Sequence, residues 1–169
     1  MENYICINGK KAELTEEQMK ALGIELPKPS PFERVTNTAN TFYEYYYIAD
    51  DGQVHTTVDS SYSDGKTDND LRFRIANYCT DGELLEQRAL RETLSRLLWR
   101  YSMMHNGDKI NFDDRKAKFY IAYSYKEFAV RSVSGTKNEC TYFYDEASAY
   151  GAIKEIIEPF MKAHPEFKI

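Results

Sequence analysis

A pattern that occurs twice in the sequence constrains the fold more than any other feature of the chain. In each half, three short segments of period two precede one longer segment whose apolar residues recur every three or four positions. Period two is typical of a strand, and the longer period is typical of an amphipathic helix. The predicted strands are 42–49, 53–58 and 71–76 in the first half, with an Asp51-Gly52 turn, and 118–124, 128–133 and 140–144 in the second, with a turn near Ser134-Gly135.

Capping residues bound the two long helices. Thr80 and Glu83 have the spacing of a capping box, so we expect the first helix to begin there and to end near Asn106-Gly107. Asp145 is a good N-cap for the second helix. Pro159 lies inside that helix and predicts a kink or a restart.

The two halves can be aligned with each other. Residues 46–49 align with 119–122, and residues 78–81 align with 143–146. We therefore predict an α+β domain built from two βββα units, which form a mostly antiparallel six-stranded sheet with two long helices on one face. The alternative interpretation is a chance match between segments of common propensity.

The first 40 residues have a different character. The Asn8-Gly9 dipeptide predicts a tight hairpin, and Thr15 with Gln18 predicts the start of a short helix that ends at Gly23. Three prolines then favour extended backbone, at Pro27, Pro29 and Pro31. The predicted organisation is an N-terminal hairpin and short helix over 1–26, a Pro-rich linker over 27–40, and the duplicated βββα domain over 41–169.

The charge balance limits the partners of the chain. It has 22 Lys and Arg against 27 Asp and Glu, and the stretch from Asp50 to Asp70, with six aspartates and one lysine, accounts for the net charge of −5. Non-specific coating of DNA is disfavoured, because it needs a basic surface. The acidic 50–70 region is either a solvated loop or a mimic of nucleic-acid phosphates.

The cysteines and the apolar content predict a cytoplasmic protein. The three cysteines form no C-x-x-C pair, which is typical of a reducing compartment. The N-terminus lacks the apolar run of a signal peptide, and no run of about 18 apolar residues occurs in the sequence. We therefore expect neither secretion nor contact with a membrane.

No motif in the sequence indicates catalysis. His55, His105 and His164 are isolated from any nucleophile signature. Gly65-Lys66-Thr67 lacks the upstream glycine of a phosphate-binding loop, and Asp64-Gly65 lacks the neighbouring ligands of a calcium loop. We expect no catalytic residues, no metal site and no cofactor, and we interpret the chain as non-enzymatic.

One face of the predicted sheet is rich in tyrosine and arginine. If Tyr46 and Ile48 face the helices, period two places the alternate residues on the opposite face. The candidate binding residues there are Tyr43, Tyr45, Tyr47, Arg72, Arg74 and Tyr120. Such a face can stack the bases of a nucleotide or of single-stranded nucleic acid, can form a protein interface, or can be covered by the linker and the N-terminal hairpin.

The first long helix has a second apolar side. Trp99 lies almost opposite Leu90 and Tyr101 on a helical wheel, and a helix that is apolar on two sides usually packs on both. The candidate interface residues on this side are Leu85, Arg88, Arg96, Trp99 and Met103. Either the N-terminal segment covers them or a second copy does. We expect a symmetric homodimer, built either on this side of the helix or on the tyrosine and arginine face.

Short motifs along nearly the whole chain carry a family resemblance. They are Ile7-Asn8-Gly9-Lys10-Lys11 with Leu14-Thr15-Glu16-Glu17-Gln18, Pro31-Phe32-Glu33-Arg34-Val35, the Tyr-Tyr-Ile strand with its Asp51-Gly52 turn, and Pro159-Phe160-Met161-Lys162 with His164-Pro165-Glu166-Phe167. On these residues the chain resembles small uncharacterised proteins encoded by phages and prophages of Firmicutes and related gut bacteria.

The resemblance implies a bacterial host cell as the setting and supplies no active-site residues. Small phage proteins of this size often act on host defences by stoichiometric binding. The expected function is therefore a non-enzymatic phage or prophage binding protein that inhibits a host defence component, with a host protein as its partner. The alternative is a nucleotide or single-stranded nucleic-acid binder that uses the tyrosine and arginine face.

Overall fold

The structure, a computed structural model, describes residues 4–7, 10–23, 30–34, 43–59, 67–110, 115–134 and 140–169. Helices and antiparallel strands are both present, so the fold class is α+β. The chain divides into two compact units, Met1–Glu33 and Arg34–Ile169. Within the described ranges, no helix combines the length and the apolar character needed to cross a bilayer.

The first unit contains a hairpin and a short helix. Strand β1 (Tyr4–Ile7) pairs antiparallel with β2 (Lys10–Glu13), and helix α1 spans Glu16–Ala21. The predicted capping box is present, because the Thr15 N–H donates to Gln18 Oε1 at 2.9 Å and the Gln18 N–H donates to Thr15 Oγ1 at 3.3 Å. The predicted Asn8-Gly9 turn and most of the predicted linker lie outside the described residues.

The second unit begins with the predicted hairpin. Strands β3 (Tyr43–Ile48) and β4 (Val54–Asp59) pair antiparallel, with Tyr46 opposite Thr56. The turn between them places Gly52 at φ +82°, a left-handed conformation that glycine adopts without steric cost. The hairpin and its turn are therefore confirmed.

The predicted strand over 71–76 is wrong, because residues 71–74 belong to a helix and residues 75–76 form the turn that follows it. Helix α2 spans Asp68–Arg74, and Thr67 and Asp70 form a reciprocal capping box at its start. Acidic residues in the first turn and arginines in the last turn both complement the helix dipole. The six residues with alternating apolar and basic side chains are too few to separate period two from the helical period.

The long helix α3 spans Gly82–Asn106 and ends, as predicted, at Gly107, which has φ +52°. Its start is one residue later than the predicted capping box. Asp81 is the N-cap and accepts the Leu84 N–H at 3.0 Å, so Thr80 with Glu83 is not the cap pair. A 3₁₀ turn (Gly107–Lys109) follows the helix.

The second half has the predicted order of three strands and a helix. The strands are β5 (Ala117–Ser124), β6 (Glu127–Ser134) and β7 (Tyr142–Phe143), and the sheet order is β6-β5-β7 with antiparallel pairs throughout. The predicted turn near Ser134-Gly135 extends outside the described residues.

The C-terminal helix is interrupted, as Pro159 predicts. Helix α4 (Glu146–Ala152) continues through a π-helical turn (Ile153–Ile157) into α5 (Glu158–Ala163), with Pro159 in the first turn of α5. Proline has no N–H to donate, and the wider π turn accommodates the break. The predicted cap is also present, since Asp145 Oδ1 accepts the Ser148 N–H at 2.7 Å.

The predicted six-stranded sheet is not found among the described residues, where β3-β4 and β6-β5-β7 are separate sheets. Both pack on α3. Tyr46 of β3 contacts the start of α3 at Gly82, and the β3-β4 turn meets Thr93. The C-terminal half of α3 packs on β7, on α4 and on a core that includes Leu94, Ile157, Phe160 and Phe167.

The two halves share a local topology that starts from their hairpins. Cys79 returns to pair with Tyr46 of β3, just as Phe143 returns to pair with Phe119 of β5. In each half an aspartate two residues later caps the following helix. The structural correspondence is therefore Cys79 with Phe143, one residue away from the sequence alignment.

Candidate functional site

The predicted tyrosine and arginine face contains a packed cluster. Tyr45 is fully buried, and its ring stacks on Tyr78 with ring centroids 4.2 Å apart. The Tyr45 hydroxyl donates to Asn69 Oδ1 at 2.6 Å, and Arg72 Nη1 donates to the same hydroxyl oxygen at 3.0 Å. The Arg72 guanidinium also lies over the Tyr47 ring, 3.7 Å from its centroid.

Helix α2 is held in this position by an ion pair. Asp70 is buried, bonds to Arg34, and accepts both the N–H and the hydroxyl of Thr67. A buried carboxylate is stable only with such partners. The helix therefore covers Tyr45 and Tyr47 from a fixed position.

The structure brings together three of the six candidate binding residues, Tyr45, Tyr47 and Arg72, but not as an open stacking face. Arg74 is exposed at the end of α2. Tyr120 lies in the other sheet, with its ring centroid 6.2 Å from that of Tyr142, and the side chain of Tyr43 lies outside the description. The expectation that these residues share one sheet face is wrong, because α2 replaces the third strand and β5 belongs to a separate sheet.

The exposed side of α3 contains most of the predicted interface residues. Trp99 is 60% exposed and Met103 is 51% exposed, and both Arg96 and Arg100 are exposed beside them. Leu85 is an exception and its assignment is wrong. It is buried, because the N-terminal half of α3 packs against the β3-β4 hairpin and turns different positions inward from those of the C-terminal half.

An open groove of about 370 Å³ lies between this side of α3 and the β3-β4 turn. Its lining residues are Asp50, Asp51, Gly52, Thr93, Arg96, Leu97, Trp99 and Arg100. We call the exposed residues Asp50, Asp51, Arg96, Trp99, Arg100 and Met103 the Trp99 surface. Trp99 is the only tryptophan of the chain.

The two walls of the groove carry opposite charges. From 93 to 106 the helix has two arginines and no Asp or Glu, whereas the turn supplies two aspartates. Arg96 pairs with Glu92 at 3.2 Å, and Glu92 also accepts Arg88 Nε at 2.8 Å. Arg88 therefore belongs to a helix-surface ion-pair network, whereas Arg100 and Asp50 have no ion pair within the part of the chain that the structure describes.

The histidines have ordinary surroundings. His55 Nε2 lies 3.7 Å from Asp51 Oδ2 on the surface, and His164 Nδ1 lies 3.2 Å from Glu166 Oε1. His105 Nδ1 lies 2.8 Å from the Tyr101 carbonyl oxygen, and its ring stacks on Tyr101. In the described ranges, no group of three or more His, Cys, Asp or Glu side chains is arranged to hold a metal ion.

The buried thiol of Cys79 is poorly suited to act as a nucleophile. Burial raises the pKa of Cys79, and a raised pKa disfavours the nucleophilic thiolate. The Tyr101 hydroxyl is also buried and faces Glu155, and both factors raise its pKa. Neither group has the lowered pKa that an activated nucleophile requires.

No protein-family model, curated protein or solved structure matches this chain at a significant level.

Proposed function

We propose that the chain is a non-enzymatic binding protein that associates stoichiometrically with a protein partner through the Trp99 surface. The observation that carries this proposal is the exposed Trp99, flanked by Arg96, Arg100 and Met103 on a helix whose other side forms the core. Tryptophan, arginine and methionine are the residue types that protein interfaces favour.

The free energy available at Trp99 is sufficient to make it an anchor. A tryptophan has roughly 250 Å² of surface, and 60% exposure leaves about 150 Å² in contact with water. At about 25 cal/mol per Å², removing this area from water is worth about 4 kcal/mol. This is the size of contribution that interface hot spots make.

The family resemblance supports the kind of partner. Small phage and prophage proteins often act on host defences by stoichiometric binding. We propose that the partner is a host protein of a defence system, which this chain inhibits by occupying its surface without turnover. Trp99 lies on a 25-residue helix, so its backbone is already ordered before a partner binds. The loss of conformational entropy on binding is therefore small, which favours this role.

Binding of a nucleotide or single-stranded nucleic acid has less support. Base stacking needs open aromatic faces, whereas Tyr45 is buried and Arg72 already lies over Tyr47. Equilibrium binding of a nucleotide or a single-stranded oligonucleotide to the wild type, Tyr47→Ala and Arg74→Ala separates the two functions. We expect the same affinity in all three forms, and a weaker affinity in either variant would favour the stacking function.

Affinity capture from a bacterial host with three forms of the protein tests the proposal. The wild type and Tyr150→Ala should retain the same protein in a near-stoichiometric ratio, and Trp99→Ala should lose it. Tyr150 is a matched control, because it is also an exposed aromatic residue on a helix. Recovery of nothing at physiological salt, or equal retention by all three forms, contradicts the proposal.

A further inference from the structure

We infer that the Trp99 surface also binds a second copy of the chain, which forms a symmetric homodimer. This inference rests on the proposed function, because the second copy occupies the same surface as the host protein and the two partners compete for it. A twofold interface requires a patch that is complementary to itself. The Trp99 surface meets that requirement through its charges and its central aromatic residue.

The charges on the two walls of the groove are complementary across a twofold axis. Asp50 and Asp51 line the turn side, and Arg96 and Arg100 line the helix side. When the exposed side of α3 in one copy packs over the groove of the other, the arginines of each copy meet the aspartates of the opposite copy. Arg100 and Asp50, which have no ion pair in the described part of one copy, then gain partners.

The apolar part of the patch lies at its centre. Trp99 is a lining residue of the groove, and Met103 lies one turn further along the same helix. Across a twofold axis, Trp99 and Met103 of both copies form one central apolar contact, and the charged residues surround it. An apolar centre with a polar rim is the usual arrangement of an interface. The net charge of −5 on each copy opposes association only weakly, because salt at physiological strength screens charges beyond about 8 Å.

Charge reversal on each wall gives a sharp test. One variant combines Arg96→Glu with Arg100→Glu, and the other combines Asp50→Lys with Asp51→Lys. Alone, each variant places like charges opposite each other at both contacts of the dimer. We expect the dissociation constant of each to rise at least about tenfold over that of the wild type.

Mixing the two variants restores attraction at both contacts. The expected result by light scattering is a wild-type dimer at micromolar concentration, two monomeric variants, and a dimer in their equimolar mixture. A misfolded variant cannot produce that recovery. A wild type that is monomeric at about 100 µM, variants that remain dimeric, or a mixture that stays monomeric each overturns the inference.

Fluorescence supplies a second measurement that needs no variant. Because Trp99 is the only tryptophan, emission excited at a wavelength that tryptophan absorbs and the 14 tyrosines do not reports only this surface. Its maximum should move to shorter wavelength as the wild type is concentrated through the dissociation constant, and an unchanged maximum overturns the inference. A monomeric wild type that still captures a host protein through Trp99 would overturn the homodimer alone and leave the proposed function standing.

Discussion

The contact between α3 and α4 predicts an unusual effect of one substitution. A Cβ added at Gly151 would lie 2.5 Å from Tyr101 Oη, and the next nearest atom of that side chain, Cζ, lies 3.6 Å away. In an exposed helix, Gly→Ala stabilises by about 1 kcal/mol. At this position the hydroxyl group of Tyr101 blocks the gain.

The Tyr101 ring has little freedom to move aside. It is buried, it stacks on His105 with centroids 3.9 Å apart, and it meets Phe143 edge-on at 6.3 Å. Overpacking a core of this kind costs about 1–3 kcal/mol. Combined with the helix propensity gain, the expected result for Gly151→Ala is a net loss of about 1 kcal/mol.

Tyr101→Phe removes the obstructing atom and so reverses the sign. The hydroxyl donates only a long hydrogen bond to Glu155, at 3.4 Å, so its removal should cost less than about 1 kcal/mol. In the Tyr101→Phe background, Gly151→Ala should stabilise by about 1 kcal/mol. The coupling energy between the two sites is then about 1–3 kcal/mol.

Urea denaturation of the four proteins, followed by far-UV circular dichroism, measures this cycle. The wild type, the two single variants and the double variant need the same m-value for the comparison to hold. If Gly151→Ala changes stability equally in both backgrounds, Tyr101 does not limit the site, and the packing of α3 on α4 described above is incorrect.

Three further predictions concern other contacts of the second unit. Asn106→Leu should lower the free energy of unfolding by about 2–4 kcal/mol in urea denaturation. The reason is that the buried amide donates to the Tyr142 carbonyl and accepts the Tyr144 N–H, both at 2.7 Å. An unchanged urea midpoint would refute this. The pKa of Asp145 is lowered, mainly by the backbone N–H that it accepts, so the stability that its carboxylate contributes is present above about pH 4 and is lost as pH falls through the lowered pKa. In thermal melts at decreasing pH, Asp145→Asn should therefore lose less stability than the wild type. Parallel curves of melting temperature against pH would contradict this. Tyr45→Phe should lower the free energy of unfolding by about 1–3 kcal/mol in thermal unfolding, because it removes the hydroxyl group to which both Asn69 and Arg72 bond. An unchanged stability would argue against the cluster.

Local signals in the sequence were sufficient for most of the second unit. The first hairpin follows from its Asp51-Gly52 turn, and the end of α3 follows from Gly107. The cap of the last helix and its interruption follow from Asp145 and Pro159. In each case the decisive interaction lies within about four residues, so that a short window of sequence contains the physical cause.

Helix α2 could not be predicted from its apolar pattern alone. The spacing of Thr67 and Asp70 is that of a capping box, and this signal could have identified the helix. The period-two alternation over 71–76 instead predicts a strand, and that strand would place Arg72 and Arg74 on the expected sheet face. The burial of Tyr45 depends on this helix, so the error about one element became an error about the candidate site.

The exposed side of α3 was predictable only in part. A helical wheel places Trp99 away from the core correctly, because that placement depends on the period of one helix. The same wheel cannot show that Leu85 is buried, because the N-terminal and C-terminal halves of α3 pack against different partners. Long-range packing therefore decides which part of an apolar side remains free.

Photo-crosslinking in bacterial cells tests directly whether α3 carries a protein-binding surface. A photoreactive phenylalanine analogue is placed at Met103, within the Trp99 surface, or at Tyr125, which is fully exposed in the turn between β5 and β6. We expect discrete protein adducts from position 103 and none from position 125. Adducts that are absent from position 103, or equal at the two positions, would contradict the assignment of α3 as a protein-binding surface.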